Sequence, residues 1–172
     1  MLPWIKLDEA TVPGGGALRL MQRGGEFSIM SGTIELMNSR LSGSEEQLAT
    51  LSAARIAGHK APRILIGGLG MGFTLRAALH SFGADSEITV AELVPEVVAW
   101  ARGPLNAIHG ASLDDPRVKL HEGDVATAHQ VVDAEFSGGA RLLIEHLERA
   151  GIWDDDDNAA TSTGEPAGAA TS

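Results

Sequence analysis

The sequence predicts an α/β protein built on a parallel sheet, with a small antiparallel β-meander in front of it. Three observations predict it. From residue 63 onward, short apolar runs alternate with helical stretches of about ten residues, the pattern of parallel strands joined by crossover helices. The run RILIGGLGMG (63–72) breaks into four glycines directly after the first of those strands. Before it, residues 17–40 carry short apolar stretches split by Gly24-Gly25 and by Ser31-Gly32, which suit hairpin turns.

Taken in order, ALRLMQRGGEFSIMSGTIELMNSR (17–40) is expected to form the meander. SEEQLATLSAARIAGH (44–59) reads as a helix. Ser44 and Gln47 have capping-box spacing, and Glu45 and Glu46 suit the positive end of the helix dipole. Leu48, Leu51 and Ala54 then fall on one face before Gly58 stops the helix. RILIGG (63–68) is a short buried strand, and FTLRAALHSFG (73–83) is a helix stopped by Gly83. EITVAEL (87–93) is a second strand, followed by the helix VPEVVAWARG (94–103), with Pro95 where a first turn tolerates it. RVKLHEGD (117–124) is a third strand. Beyond Asp124, VATAHQVVDAEFSGG (125–139) shows no clear period, and ARLLIEHLERAG (140–151) reads as an amphipathic helix. The last stretch, DDDDNAATSTGEPAGAATS, cannot bury enough apolar surface to order itself. The expected organisation is a β-meander over 1–43, an α/β domain over 44–153 and a disordered acidic tail over 154–172.

Composition narrows the function classes. The chain has 172 residues, 44% hydrophobic and 21% charged, enough for one globular domain with a sizeable core. Its net charge is -10, but Asp154, Asp155, Asp156, Asp157 and Glu165 in the tail supply half of that, so the body is only mildly acidic. Nothing resembles the basic stripe of a nucleic-acid binder. With no cysteine, disulfides, thiolate metal sites and cysteine nucleophiles are excluded. The N-terminal MLPWIKLDEA is not a secretory signal, and no segment approaches the ~20 apolar residues of a membrane span, so a cytoplasmic protein is expected. His59, His80, His109, His121, His129 and His146 are scattered with no i, i+4 pair, and no metal site is expected.

Three features carry chemistry. Gly67, Gly68, Gly70 and Gly72 follow a strand and precede a helix, a context in which a ligand can lie against the main chain and meet free N–H groups. A purely structural turn explains such a run equally well. Glu92, at the end of the second strand, could accept two hydrogen bonds from ribose hydroxyls, or could be a solvated strand end. Asp124, just past the third strand, could read an adenine edge or simply form a turn. All three lie at carboxyl ends of strands, where open α/β sheets bind ligands. Trp100 reads as core, with adenine stacking the alternative.

ILIGGLGMGFTLRAAL, ITVAELVPEVVAWAR and LDDPRVKLHEGD together resemble the spermidine synthase-like branch of the class I S-adenosylmethionine-dependent methyltransferase superfamily. ELMNSRLSGSEEQLA looks like the segment by which that family leaves its small N-terminal β-domain. The resemblance covers roughly residues 17 to 125. It implies a Rossmann-like class I methyltransferase fold and a nucleoside cofactor, S-adenosylmethionine or its decarboxylated form. The implied activity is aminopropyl or methyl transfer to a small amine. By the same resemblance, the glycines flank the cofactor's amino-acid or aminopropyl arm, Glu92 holds the ribose and Asp124 sits near the adenine.

The departures from the family matter as much. Where polyamine-making members carry an acidic residue in the glycine loop, this chain has Leu69 and Met71. Where they line an amine channel with Asp, Tyr and His, it has Ser39, Gly43 and Ser44, and Glu45 alone keeps the family residue. The family's fourth strand ends in an acidic residue that deprotonates the attacking amine. No such strand is legible, and Asp133 in VVDAEF (131–136) is the one substitute, so the catalytic residue is left unassigned. With the sheet incomplete, Ile64, Leu65 and Ile66 would lie on an open edge. That predicts a homodimer, poor solubility, or cover from the 140–151 helix. A non-catalytic nucleoside-binding fragment is the alternative to an active transferase.

Overall fold

The structure is a computed structural model that describes residues 2–134 and 141–145. It begins with four antiparallel strands, β1 (Ile5–Thr11), β2 (Ala17–Arg23), β3 (Glu26–Ser31) and β4 (Ile34–Asn38), paired in chain order. The Gly24-Gly25 and Gly32-Thr33 dipeptides make the two tightest turns, closing Arg23 onto Glu26 and Ser31 onto Ile34. The meander thus gains a strand that the sequence reading did not place. Strand β1 buries only Ala10, and a bulge between Lys6 and Asp8 breaks the alternation that would have revealed it. The bulge sets Asp8 opposite buried Leu20, where the Trp100 indole donates to Asp8 Oδ2 at 2.7 Å. Trp100 is a core residue, tying the meander to the second sheet.

A helix, α1 (Gly43–Arg55), leads into the α/β part. Ser42 stands at its N-cap and donates through Oγ to the Glu46 carboxylate, while Ser44 bonds its neighbour Glu45, so the expected capping box does not form. The buried face is Glu45, Ala49 and Ser52, with Leu51 67% exposed. The expected stripe through Leu48, Leu51 and Ala54 is thus rotated: Ala49 and Ser52 face inward, Leu48 is half-buried, and Leu51 and Ala54 are exposed.

The parallel sheet consists of β5 (Arg63–Gly67), β6 (Glu87–Glu92), β7 (Val118–Glu122) and β8 (Arg141–Glu145), in the spatial order β7-β6-β5-β8. The connecting helices are α2 (Phe73–Ser81), α3 (Pro95–Arg102), the short α4 (Asn106–His109) and α5 (Val125–Ala134). Ile64, Ile66, Ile88 and Val90 pack in the main core with Leu75, Val97 and Val98 of α2 and α3. Leu65 and Ala91 face the other way, against Ala128 of α5. The chain therefore steps β5 to β6 to β7 with helices on one face, then returns on the opposite face to place β8 beside β5.

Strand β8 corrects three expectations. Residues 141–145 are a strand and not part of a helix; residues 146–151 lie outside the described residues. A run of Leu-Leu-Ile fits one face of a helix or a strand buried on both sides, and periodicity alone does not separate the two. Strand β5 has unmet backbone donors and acceptors on that flank, and β8 meets them, with Ile64 opposite Leu142 and Ile66 opposite Ile144. Ile64–Ile66 therefore do not form an edge, and the argument for self-association through them falls. The sheet also has the fourth strand that the sequence reading did not find. Residues 131–134 belong to α5, which puts Asp133 on a helix and removes it as a strand-end substitute. The tail expected to be disordered, 154–172, lies outside the described residues.

The DPR stretch has a structural explanation. The Arg117 guanidinium donates to Leu79 O and Phe82 O at 3.1 Å, closing the carboxyl end of α2, and grips both oxygens of Asp115 at 3.0 Å. Arg117→Ala should cost about 2 kcal/mol in urea unfolding, because charged hydrogen bonds at a helix end are lost together. Arg117→Lys should not restore it, since an ammonium lacks the planar fork. The Arg117 side chain, and then its backbone N–H, hold the Asp115 carboxyl below its ordinary 3.8. A carboxyl whose pKa is depressed by folding stabilises above its unfolded pKa and loses that contribution as pH falls through the folded one. The clasp should thus be intact at neutral pH and weaken below about pH 4, shrinking the difference between wild type and Arg117→Ala.

Candidate functional site

The reversal in strand order falls between β5 and β8, and the carboxyl ends of open α/β strands at such a point form a crevice suited to ligands. Gly67 ends β5 there, paired with Ala91 on one side and Glu145 on the other. The next residues form the glycine loop. Gly68 donates its N–H to Ala91 O at 2.7 Å, and Gly72 N–H closes the turn onto Leu69 O at 2.8 Å. Gly68, Gly70 and Gly72 have φ of 91, 52 and 79°, left-handed values that favour glycine.

Space around these glycines separates their roles. A Cβ at Gly72 would stand 2.8 Å from His109 Cβ, and one at Gly70 would stand 2.5 Å from Met37 Sδ. Those two are glycine partly because the chain's own side chains pass there. At Gly68 no atom of the described residues lies within 4 Å of the Cβ position, so on that side the described part of the chain leaves room for a ligand. Leu69 and Met71 are 3% and 0% exposed and point into the core, which leaves the outer surface of the loop as backbone.

Glu92 ends β6 and is 7% exposed. Its Oε2 accepts from Leu69 N–H at 2.8 Å and its Oε1 from Val94 N–H at 2.9 Å. The carboxylate therefore ties the glycine loop to the turn before α3. Each carboxylate oxygen has two lone pairs, and these bonds use one apiece, leaving acceptor capacity for a ligand's hydroxyls. Asp124 is exposed and caps α5, accepting from Ala126 N–H at 2.7 Å. Gly123 N–H bonds Glu92 O at 2.8 Å, so the structure brings Gly67, Gly68, Glu92 and Asp124 to neighbouring strand ends. Gly70 and Gly72 belong to the same loop but are closed over by Met37 and His109.

Other candidates are placed differently. Ser39 is used within the meander, its Oγ accepting from Phe27 N–H at 2.9 Å. Gly43 opens α1, and Ser44 donates to Glu45, which is 6% exposed. His109 is 1% exposed and structural. Ser112 N–H donates to its Nδ1, which assigns the proton to Nε2 for donation to Ala101 O at 2.8 Å. Among the described residues, no three His, Asp or Glu side chains gather as metal ligands, and no helix is long and apolar enough to cross a membrane.

Glu145 was missed by the sequence reading. It ends β8 in register with Gly67, at the strand reversal. The signal was present: ITVAE, VKLHE and LLIE are each a short strand closed by Glu, at Glu92, Glu122 and Glu145. Met37 and His109 were missed as well, because nothing in the sequence says which side chain will lie on a glycine.

No family model matches the chain, and no curated protein matches it significantly. Solved structures do. A spermidine synthase in complex with the transition-state analogue AdoDATO superimposes with a TM-score of 0.64 at 19% identity, covering 83% of this chain and 47% of that one. Spermidine synthase from Thermotoga maritima gives 0.63 at 19% identity, with the same coverage. A third structure, of an O-methyltransferase from Klebsiella pneumoniae, gives a TM-score of only 0.40 at 26% identity, too low to bear on the fold. The chain spans about half the length of the spermidine synthases it matches. Over that half it has the Rossmann-like fold of spermidine synthase, a small antiparallel sheet leading into a parallel one.

Proposed function

We propose that the chain binds an S-adenosyl nucleoside across the ends of β5, β6 and β7 and acts as a transferase on a small amine. The observation that carries this reading is the open side of Gly68 beside a buried Glu92 carboxylate that retains acceptor capacity. Glu92 would accept the ribose hydroxyls, Asp124 would stand near the adenine, and the backbone of the glycine loop would lie along the amino-acid arm. The sulfonium of such a cofactor supplies an electrophilic carbon. Glu145, by its register opposite Gly67, is the residue we assign to take the proton from the attacking amine. With Leu69 and Met71 buried, the loop offers no carboxylate to the free amine of a decarboxylated cofactor. That favours S-adenosylmethionine, and methyl transfer over aminopropyl transfer.

Calorimetry with S-adenosylmethionine, its decarboxylated form and methylthioadenosine tests the reading. Binding of S-adenosylmethionine tighter than the decarboxylated form is expected. Absence of heat from all three at millimolar concentration would sink the nucleoside site. Binding without turnover on any small amine would leave the non-catalytic alternative standing. If there is turnover, Glu145→Gln should lower it by about 10² or more while leaving binding intact.

A further inference from the structure

A side chain of the antiparallel sheet, Met37, reaches the glycine loop. Met37 lies on β4 opposite Ile29, which is itself opposite buried Leu20, so it stands on the inward face of the meander. Its thioether ends on Gly70: a Cβ there would be 2.5 Å from Sδ and 2.9 Å from Cε. The sulfur and terminal methyl thus occupy the volume that any larger residue at 70 would take. Beyond Gly68 the loop meets side chains at Leu69, whose N–H bonds Glu92, at Gly70, which packs on Met37, and at Gly72, which packs on His109. Glu92 and His109 belong to the α/β part, whereas Met37 comes from the meander. An unbranched, polarisable thioether is suited to filling an irregular gap over bare backbone.

From this contact we infer that Met37 is a positioning residue of the nucleoside site, resting on Gly70 to keep the loop in the form that leaves Gly68 open. The inference rests on the nucleoside reading above, and it makes the meander part of the site instead of a separate appendage. Without the thioether, no other atom of the described residues lies within 4 Å of the Gly70 Cβ position, and its left-handed glycine backbone is free to sample other conformations. A ligand that needs the seated loop then binds in proportion to the seated fraction. If one molecule in about ten stays seated, the dissociation constant rises about tenfold.

The test uses the full chain with Met37→Ala and Met37→Leu. Two measurements are made: calorimetry with S-adenosylmethionine, and hydrogen exchange of the Leu69 and Gly72 amides without ligand. Both amides are hydrogen-bonded within or beneath the loop. Met37→Ala should weaken binding about tenfold and speed exchange at both amides, with the exchange of β5 and β6 unchanged. Met37→Leu conserves volume and should restore both readouts. Wild-type affinity and exchange in Met37→Ala would overturn the inference, as would a Met37→Leu variant no better than Met37→Ala. If no nucleoside binds even the wild type, the proposed function fails, and the exchange measurement still decides the role of Met37.

Discussion

Gly72→Ala should destabilise the protein by about 3 kcal/mol, more than any exposed substitution in the chain. Two costs combine. A left-handed torsion of 79° costs an alanine about 1–2 kcal/mol. The new Cβ would also meet His109 Cβ at 2.8 Å and Cγ at 2.9 Å, and overpacking of this kind costs about 1–3 kcal/mol. His109 has little freedom to yield. The clash is with atoms next to its own backbone, and its ring is fixed by Ala101 O and the Ser112 N–H. For a chain of this size the loss corresponds to about 10 °C in melting temperature. Gly25→Ala is the control, since Gly25 has no left-handed torsion and no atom of the described residues within 4 Å of its Cβ position. If Gly72→Ala melts with the control, the packing of His109 under the loop is not as described.

Glu92→Ala should cost about as much, and in the absence of any ligand. Truncation leaves two N–H groups, of Leu69 and Val94, without the acceptor they have in the folded protein. Each unsatisfied buried donor costs about 1–3 kcal/mol. A residue that only held a ribose would show no such loss, because nothing in the ligand-free protein would depend on it. Glu92→Gln sharpens the contrast: its amide oxygen can keep one of the two bonds, but its NH₂ would face the other donor. Unfolding by urea, with exchange at the Leu69 and Val94 amides, should rank wild type above Glu92→Gln and Glu92→Gln above Glu92→Ala. Wild-type stability in Glu92→Ala would show that the carboxylate serves ligand alone.

The parallel strands, and with them the candidate site, were legible where local chemistry coincided with strand ends. The RILIGG, EITVAE and RVKLHE segments are short runs with apolar residues at their centre or at alternate positions, closed by glycine or by acids, and all three became parallel strands. The glycine loop, Glu92 and Asp124 stood out as candidates for the same reason. Their hydrogen-bond partners were not legible, because Leu69 N–H and Val94 N–H meet Glu92 only once β5 and β6 are aligned. Strand β8 was not legible because LLI has no period of its own, and only the unpaired flank of β5 decides its state. Helix α5 was hidden by small residues, since it buries Ala128 and half-buries Val125 against the sheet. Strand β1 was hidden by its exposure and its bulge. The most specific sequence feature, DPRVKLHEGD, proved to combine two functions: Arg117 closing a helix and Asp124 at the strand-end crevice.

The pairing of β5 with β8 has a consequence in time as well as in space. Strands β5, β6 and β7 and their helices leave the ribosome in sequence and can assemble through neighbouring contacts, whereas Ile64 waits for Leu142. Closing so long a loop is the slow kind of step in folding, because chain entropy is lost before the contact rewards it. Until residue 141 emerges, the growing chain presents the flank of Ile64, Leu65 and Ile66 bare, and exposed strand flanks of that kind drive misassembly of nascent proteins. The sticky edge absent from the finished fold is thus a property of the half-made one, and its hazard grows with the time that translation takes to cross residues 68 to 141.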